Sequence, residues 1–158
     1  QATVSEVRPD GNETFVQDGW IRASERKLAT TSNNMFKQSP TLLQPIPTFL
    51  PSDLEPMPAS QFVPVVIPLY FQGHAYRAGS RLRITIAAPN GTQPVWSFSQ
   101  TQPAGTTATE SIAFSPSMPS SLVLPIVPGV GVPTPLPACP SLRNEPCRPY
   151  RPFLNTGS

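Results

Sequence analysis

The sequence predicts an all-β fold of the β-sandwich or jelly-roll class, and three observations carry that expectation. In residues 81–86 (RLRITI), Leu82, Ile84 and Ile86 alternate with Arg81, Arg83 and Thr85, the period-2 pattern of a strand with one covered face. About seven or eight short strand-like runs, separated by Gly- and Pro-rich turns, are spread along the chain, the spacing of a sandwich. Only 13% of the 158 residues are charged, against a usual ~25%, which is too few to coat the outer faces of long helices.

Taken in order, Thr3 to Val7 alternates and reads as a strand, and Arg8-Pro9-Asp10-Gly11 is a turn with proline at its second position. Thr14 to Gln17 is a short extended stretch, Asp18-Gly19 a second turn signal, and Trp20 to Ser24 a further strand. Residues 25–39 are polar and could hold one turn of helix. Residues 40–64 carry prolines at 40, 45, 47, 51, 56, 58 and 64 among Leu42, Leu43, Ile46, Phe49, Leu50 and Met57. This segment excludes an interior helix and is too apolar for a solvated linker, so it is expected to run over the sheet as a packed connection, anchored by a few side chains. A polyproline recognition peptide is the runner-up reading, and disorder the remaining one.

Phe62 to Leu69 is an edge strand or a bulged one, because Pro64 and Pro68 supply no ladder donors. The central strand follows, entered through Gly73 and the Ala78-Gly79-Ser80 turn and ended by Pro89-Asn90-Gly91. Its arginines are placed on the wet side. Val95 to Ser99, Ser111 to Phe114 and Ser121 to Leu124 complete the strands, giving a domain over residues 1–128 and an irregular proline-rich tail over 129–158.

Composition excludes several functions. The formal charge is +2 with scattered basic residues, so no basic stripe for nucleic acid is present. No apolar run approaches the ~20 residues that span a bilayer, so no membrane role is indicated. Cys139 and Cys147 could close a small loop worth about 2 to 2.5 kcal/mol in an oxidising compartment; free thiols are the alternative, and a metal site lacks ligands. A disulfide points to a secreted or periplasmic protein. Asn12-Glu13-Thr14 and Asn90-Gly91-Thr92 are glycosylation acceptors if the source is eukaryotic and secreted.

Catalytic chemistry has little to stand on. His74 is the sole imidazole, Gly79-Ser80 lacks the strand-to-helix context of a nucleophile elbow, and Asp10, Asp18, Glu25, Asp53, Glu55 and Glu110 show no distinctive pairing. No catalytic residue, cofactor or metal site is therefore assigned. Trp20, His74, Tyr76, Arg81 and Trp96 remain as candidates for interface or ligand contact. The aromatic ones would suit a sugar platform, and Arg81 and Arg83 an acidic partner surface.

The succession Val7-Arg8-Pro9-Asp10-Gly11, Asp18-Gly19-Trp20-Ile21-Arg22-Ala23-Ser24-Glu25-Arg26, Tyr76-Arg77-Ala78-Gly79-Ser80-Arg81-Leu82-Arg83-Ile84 and Pro119-Ser120-Ser121-Leu122-Val123-Leu124-Pro125 resembles the C-terminal domain of the X-Pro dipeptidyl-peptidase and cocaine-esterase group of α/β-hydrolases. It departs from the family pattern at Ser80 and Glu25, where histidine is usual, and at Ser121, where arginine is common. The resemblance implies a jelly-roll (galactose-binding-like) sandwich packed against a catalytic domain that holds the serine, acid and histidine. It also implies strands preceding Val7, so the chain is expected to be incomplete at its N-terminal side. The implied partner is an upstream α/β-hydrolase chain or a cleaved segment of the same precursor; the oligomeric state is left open. The expected role is a non-catalytic portion of a serine hydrolase acting on ester or peptide bonds, shaping substrate access. The alternative is a stand-alone carbohydrate- or small-ligand-binding module.

Overall fold

A computed structural model describes residues 1–88, 105–106, 109–132, 135–139 and 147–152. The chain divides into two compact units: one of Gln1–Trp20, Leu69–Ala87 and Val127–Ser158, the other of Ile21–Pro68 and Ala88–Ile126.

The first unit is built on one open antiparallel sheet. Its strands are β1 (Ala2–Val7), β2 (Asn12–Gly19), β3 (Arg81–Ile86) and β4 (Arg148–Pro149), in spatial order β3-β1-β2-β4. The first strand of the chain is thus an inner one, paired on both sides, and it is the most buried of the four. The hairpin from β1 to β2 closes at Gly11, whose φ of +82° suits glycine. Arg8 N donates to Asn12 O at 2.8 Å, and Asn12 N to Asp10 Oδ1 at 3.0 Å.

A bulge sets the faces of the sheet. Val4 lies opposite Gln17, but Ser5 lies opposite Phe15, so Val16 is the extra residue. Beyond it Thr14 pairs with Glu6 and Glu13 with Val7. Because a one-residue slip exchanges faces, the bulge puts Glu13 on the same face as Arg81 and Arg83, which pair with Val7 and Ser5.

Several expectations are corrected. Among the described residues the architecture is all-β with a single open four-stranded sheet, not a closed sandwich or jelly roll. The sequence counted extended runs, whereas a strand exists only where a ladder partner does. Among the described residues Phe62 to Leu69 has none, its prolines removing donors, and Ser111 to Phe114 and Ser121 to Leu124 lie outside any ladder, with the Ser115–Met118 bridge nearby. Trp20 to Ser24 is not a strand either. A 3₁₀ turn at Ala23–Glu25, closed by Glu25 N donating to Arg22 O at 2.7 Å, ends the extended chain. β3 forms where expected, but its covered face is not the predicted one: Leu82, Ile84 and Ile86 are 37%, 38% and 45% exposed, and Arg83 is half-buried. The tail also contributes β4, which pairs with Asn12 and Glu13. Val95 to Ser99, Trp96 and the Pro89-Asn90-Gly91 turn lie outside the described residues.

In the second unit the proline-rich segment runs antiparallel beside residues 24–29. Ala29 N donates to Ile46 O, Thr48 N to Lys27 O and Glu55 N to Ser24 O, at 2.8, 2.9 and 2.8 Å. Prolines 45 and 47 leave Ile46 and Thr48 to make these bonds, so the segment binds through alternate residues. Arg26 and Lys27 complete the clasp with Glu55 and Asp53, both at 2.7 Å. Ile46 is fully buried and is the anchor. Leu42, Leu43, Phe49, Leu50 and Met57, from the same segment, stay exposed.

Candidate functional site

The most concentrated polar chemistry of the first unit surrounds two buried glutamates of the sheet. Glu6 follows Ala2 and Val4 on one face of β1, a charge on an apolar row, which must find partners. It finds His74, whose Nε2 lies 2.8 Å from Oε2, and Ser80, whose hydroxyl donates to Oε1 at 2.5 Å. The contact is a hydrogen bond to the carboxylate in the tautomer that carries hydrogen on Nε2, since an ionised carboxylate only accepts. Tyr76 meets the His74 ring edge-on with centroids 4.8 Å apart. Burial, and then the Glu6 charge, push its phenol up to about 12.

Serine, histidine and glutamate meet here in the wrong order for catalysis. A triad needs the imidazole between the hydroxyl and the acid, so that it can take the serine proton. Here the carboxylate stands in the middle, and the Ser80 proton points at Glu6. The group is a clamp that fastens residues 74–80, the approach to β3, onto β1. Gly79, with φ of +84°, makes the turn that delivers Ser80.

Glu13 organises the other face. It is 2% exposed and accepts from Arg83 Nη1 at 2.9 Å and Arg148 Nη2 at 3.1 Å. Burial raises its carboxyl, but the hydrogen bond and charge of Arg148, the Arg83 charge and a bond from Ser5 outweigh it and hold it below the usual value. Arg81 and Arg83 lie over the Tyr150 ring, 5.1 and 5.6 Å from its centroid, and Tyr150 N donates to Gly11 O at 2.9 Å. A disulfide joins Cys139 to Cys147, their Cα atoms 5.3 Å apart, and Cys147 leads directly into β4.

The sequence-selected residues are therefore dispersed. His74 and Tyr76 share the Glu6 clamp, Trp20 packs on Tyr70 with centroids 6.1 Å apart, and Arg81 lies on Tyr150. Trp96 lies outside the described residues. Glu6, Glu13, Arg8 and Tyr150 were missed. For Glu6 the signal was available: it shares the parity of Ala2 and Val4 in an alternating strand.

In the second unit a cleft of about 520 Å³ is lined by residues that include Asn33, Met35, Lys37, Phe49 and Leu50. Lys37 and Phe49 hold φ of +53° and +50°, the left-handed region that costs a side-chain-bearing residue energy. Among the described residues no three His, Cys, Asp or Glu side chains gather to hold a metal, and no helix is long and apolar enough to cross a membrane.

Sheet and clamp make the first unit a β-structure whose ionisable groups fasten its segments to one another. The family comparison agrees: the model of the X-Pro dipeptidyl-peptidase C-terminal non-catalytic domain matches residues 1–123, and the chain belongs to that family. It is thus the non-catalytic domain of a serine-hydrolase family, not a stand-alone carbohydrate module. Domains of this family occur as the C-terminal part of a larger hydrolase. Neither a search of curated proteins nor one of solved structures returns a match.

Proposed function

We propose that this domain packs on the α/β-hydrolase part of an enzyme acting on ester or peptide bonds and borders the approach to its active site. That part is either upstream in the same polypeptide or a cleaved segment of the same precursor. One observation carries the reading: Met35, Phe36, Leu42, Leu43, Phe49 and Leu50, all from one stretch of the second unit, are exposed together, Leu42 by 79%. Met35, Phe49 and Leu50 line one cleft, and large apolar side chains left exposed at this density along one stretch suit an interface better than a solvated face. The neighbouring cleft, with Lys37 at its wall, would face substrate or product where the domain borders the active site. The disulfide supports an oxidising setting, secreted or periplasmic.

Native mass measurement on material from the natural source, with peptide mapping, tests this. The expected result is a hydrolase segment, either continuous with this chain or bound to it. Where it is bound, Leu42→Asp with Leu50→Asp is expected to release it without altering the far-UV circular dichroism of the domain. A lone 158-residue monomer with no companion would overturn the reading.

A further inference from the structure

The two sulfurs of the Cys139–Cys147 disulfide have unequal surroundings. Arg8 is buried, and its Nη1 donates to Cys139 Sγ at 3.0 Å while its Nη2 pairs with Asp10 at 3.0 Å. The Thr14 hydroxyl lies 3.1 Å from Cys147 Sγ and 3.6 Å from Cys139 Sγ. Both cysteines are half-buried rather than enclosed in the core.

A disulfide sulfur is a weak acceptor, and Arg8 gains little from it in the oxidised protein. A thiolate in the same place would accept a charge-assisted bond, about twice as strong as a neutral one. The Arg8 contact is therefore realised mainly when the S–S bond breaks with the electron pair on Cys139. Two groups oppose this. Thr14 favours charge on Cys147, but it is a neutral hydroxyl set against a guanidinium at a similar distance. Asp10 offsets part of the Arg8 charge, but it engages the other nitrogen and stands in solvent, where screening weakens it.

We propose that the disulfide is a directional thiol-exchange site, modified at Cys147 by a small monothiol while Cys139 departs as a thiolate held by Arg8. The monothiol gives its proton to solvent, and its sulfur attacks Cys147 Sγ. One S–S bond forms between them as the Cys139–Cys147 bond breaks. The displaced electron pair resides on Cys139 Sγ, facing Arg8 Nη1. A second monothiol attacking the added sulfur would release a symmetrical small disulfide and leave Cys147 as a thiol. Cys147 precedes β4, so its modification removes the covalent tie at the root of that strand. What then holds β4 and the residues after it is a two-residue ladder to Asn12 and Glu13, the Arg148–Glu13 contact, the Tyr150–Gly11 bond, the bond from Arg83 to Arg151 O and the arginines over Tyr150. S-thiolation thus loosens the tail that carries Tyr150 against Arg81 and Arg83.

The test uses the intact chain, 2-mercaptoethanol as the probe, acid quenching, trapping of free thiols with N-ethylmaleimide and peptide mapping. The mercaptoethanol adduct is expected on Cys147 with maleimide on Cys139, exceeding the reverse pattern roughly threefold, since only about half of a one-unit difference in leaving-thiol pKa is expressed in the exchange rate. Equal partition, or an adduct mainly on Cys139, would overturn the proposal. Arg8→Met should abolish the preference and slow exchange by a similar factor, whereas Thr14→Val should keep or sharpen it. Retained preference in Arg8→Met, or lost preference in Thr14→Val, also counts against it. Should Arg8→Met not fold, the unmutated map and Thr14→Val decide alone.

Discussion

The two units bury opposite kinds of residue. In the sheet unit the buried set is mostly polar, with Ser5, Glu6, Arg8, Glu13, Thr14, Gln17 and Asp18 beside Ala2, Val4 and Val7. In the unit of the proline-rich segment, Ile46 is the buried anchor among the described residues, while Leu42, Phe49 and their neighbours lie in solvent. The sheet is held by directional bonds to carboxylates that water no longer reaches. The proline-rich segment is held by backbone bonds at alternate residues, two surface ion pairs and one side chain. The first unit pairs its two buried glutamates internally, and the proline-rich stretch of the second displays apolar side chains that it does not use on itself. That difference is why docking is assigned to the second unit and internal fastening to the first.

The comparison can be broken most directly at the anchor. Ile46→Ala should cost about 2 to 4 kcal/mol in urea unfolding, because a fully buried side chain leaves both lost transfer energy and a cavity. Leu42→Ala, four residues earlier and exposed, should change stability by less than ~0.5 kcal/mol. Equal effects at the two positions would mean that the segment is not anchored as described. In the sheet, Glu13→Ala should cost about 2 to 3 kcal/mol, toward or below the lower end for a broken buried pair. The half-buried Arg83 loses its carboxylate, but it keeps a bond to Arg151 O at 3.0 Å, and Arg148 is free to turn to water. Ser80→Ala should cost about 1 kcal/mol by removing one donor from Glu6, with His74 remaining. Because Ser80 is a fastening residue, turnover of the assembled hydrolase should be unchanged in that variant; a loss of turnover with substrate affinity intact would contradict the clamp.

Legibility in the sequence followed the range of the interaction. The alternation of Arg81 to Ile86 and of Thr3 to Val7 located β3 and β1, and Pro9-Asp10-Gly11 located the hairpin, because these depend on neighbours along the chain. The order β3-β1-β2-β4 did not show, since pairing Ala2 with Ile86 joins residues far apart along the chain, as does pairing Glu13 with Arg148. The Val16 bulge was equally hidden, and with it the face on which Glu13 emerges. Knowing that Leu82, Ile84 and Ile86 form a row did not reveal which row is covered. That was decided by Glu13 drawing in Arg83, a partner 70 residues away. The Glu6 clamp was half legible: parity marks Glu6 as inward, while its partners come from residues 74 and 80. The family itself was legible from local motifs in order, while the jelly roll that the resemblance implied was not borne out.

The smallest effects concern pH, and they separate the two units. Glu13 has its carboxyl held below its usual 4.5, so its contribution to stability is present above that value and is lost as pH falls below it. Glu13→Gln should flatten this acid arm. Tyr76 behaves in the opposite sense. Its folded-state value of about 12 lies above the usual 10, so its contribution is complete below pH 10 and declines between 10 and 12, where the unfolded chain ionises first. More than a third of Tyr76 is exposed, so the alkaline decline should be shallower than full burial would give. Lys27, raised above 10.5 by its bond to Asp53 and that residue's charge, loses its own contribution in an overlapping window, but in the other unit. Urea midpoints against pH for Tyr76→Phe and Lys27→Met resolve the two. If the alkaline decline survives Tyr76→Phe and vanishes in Lys27→Met, the burial of the phenol beside Glu6 does not stabilise the sheet, and the clamp rests on His74 and Ser80 alone.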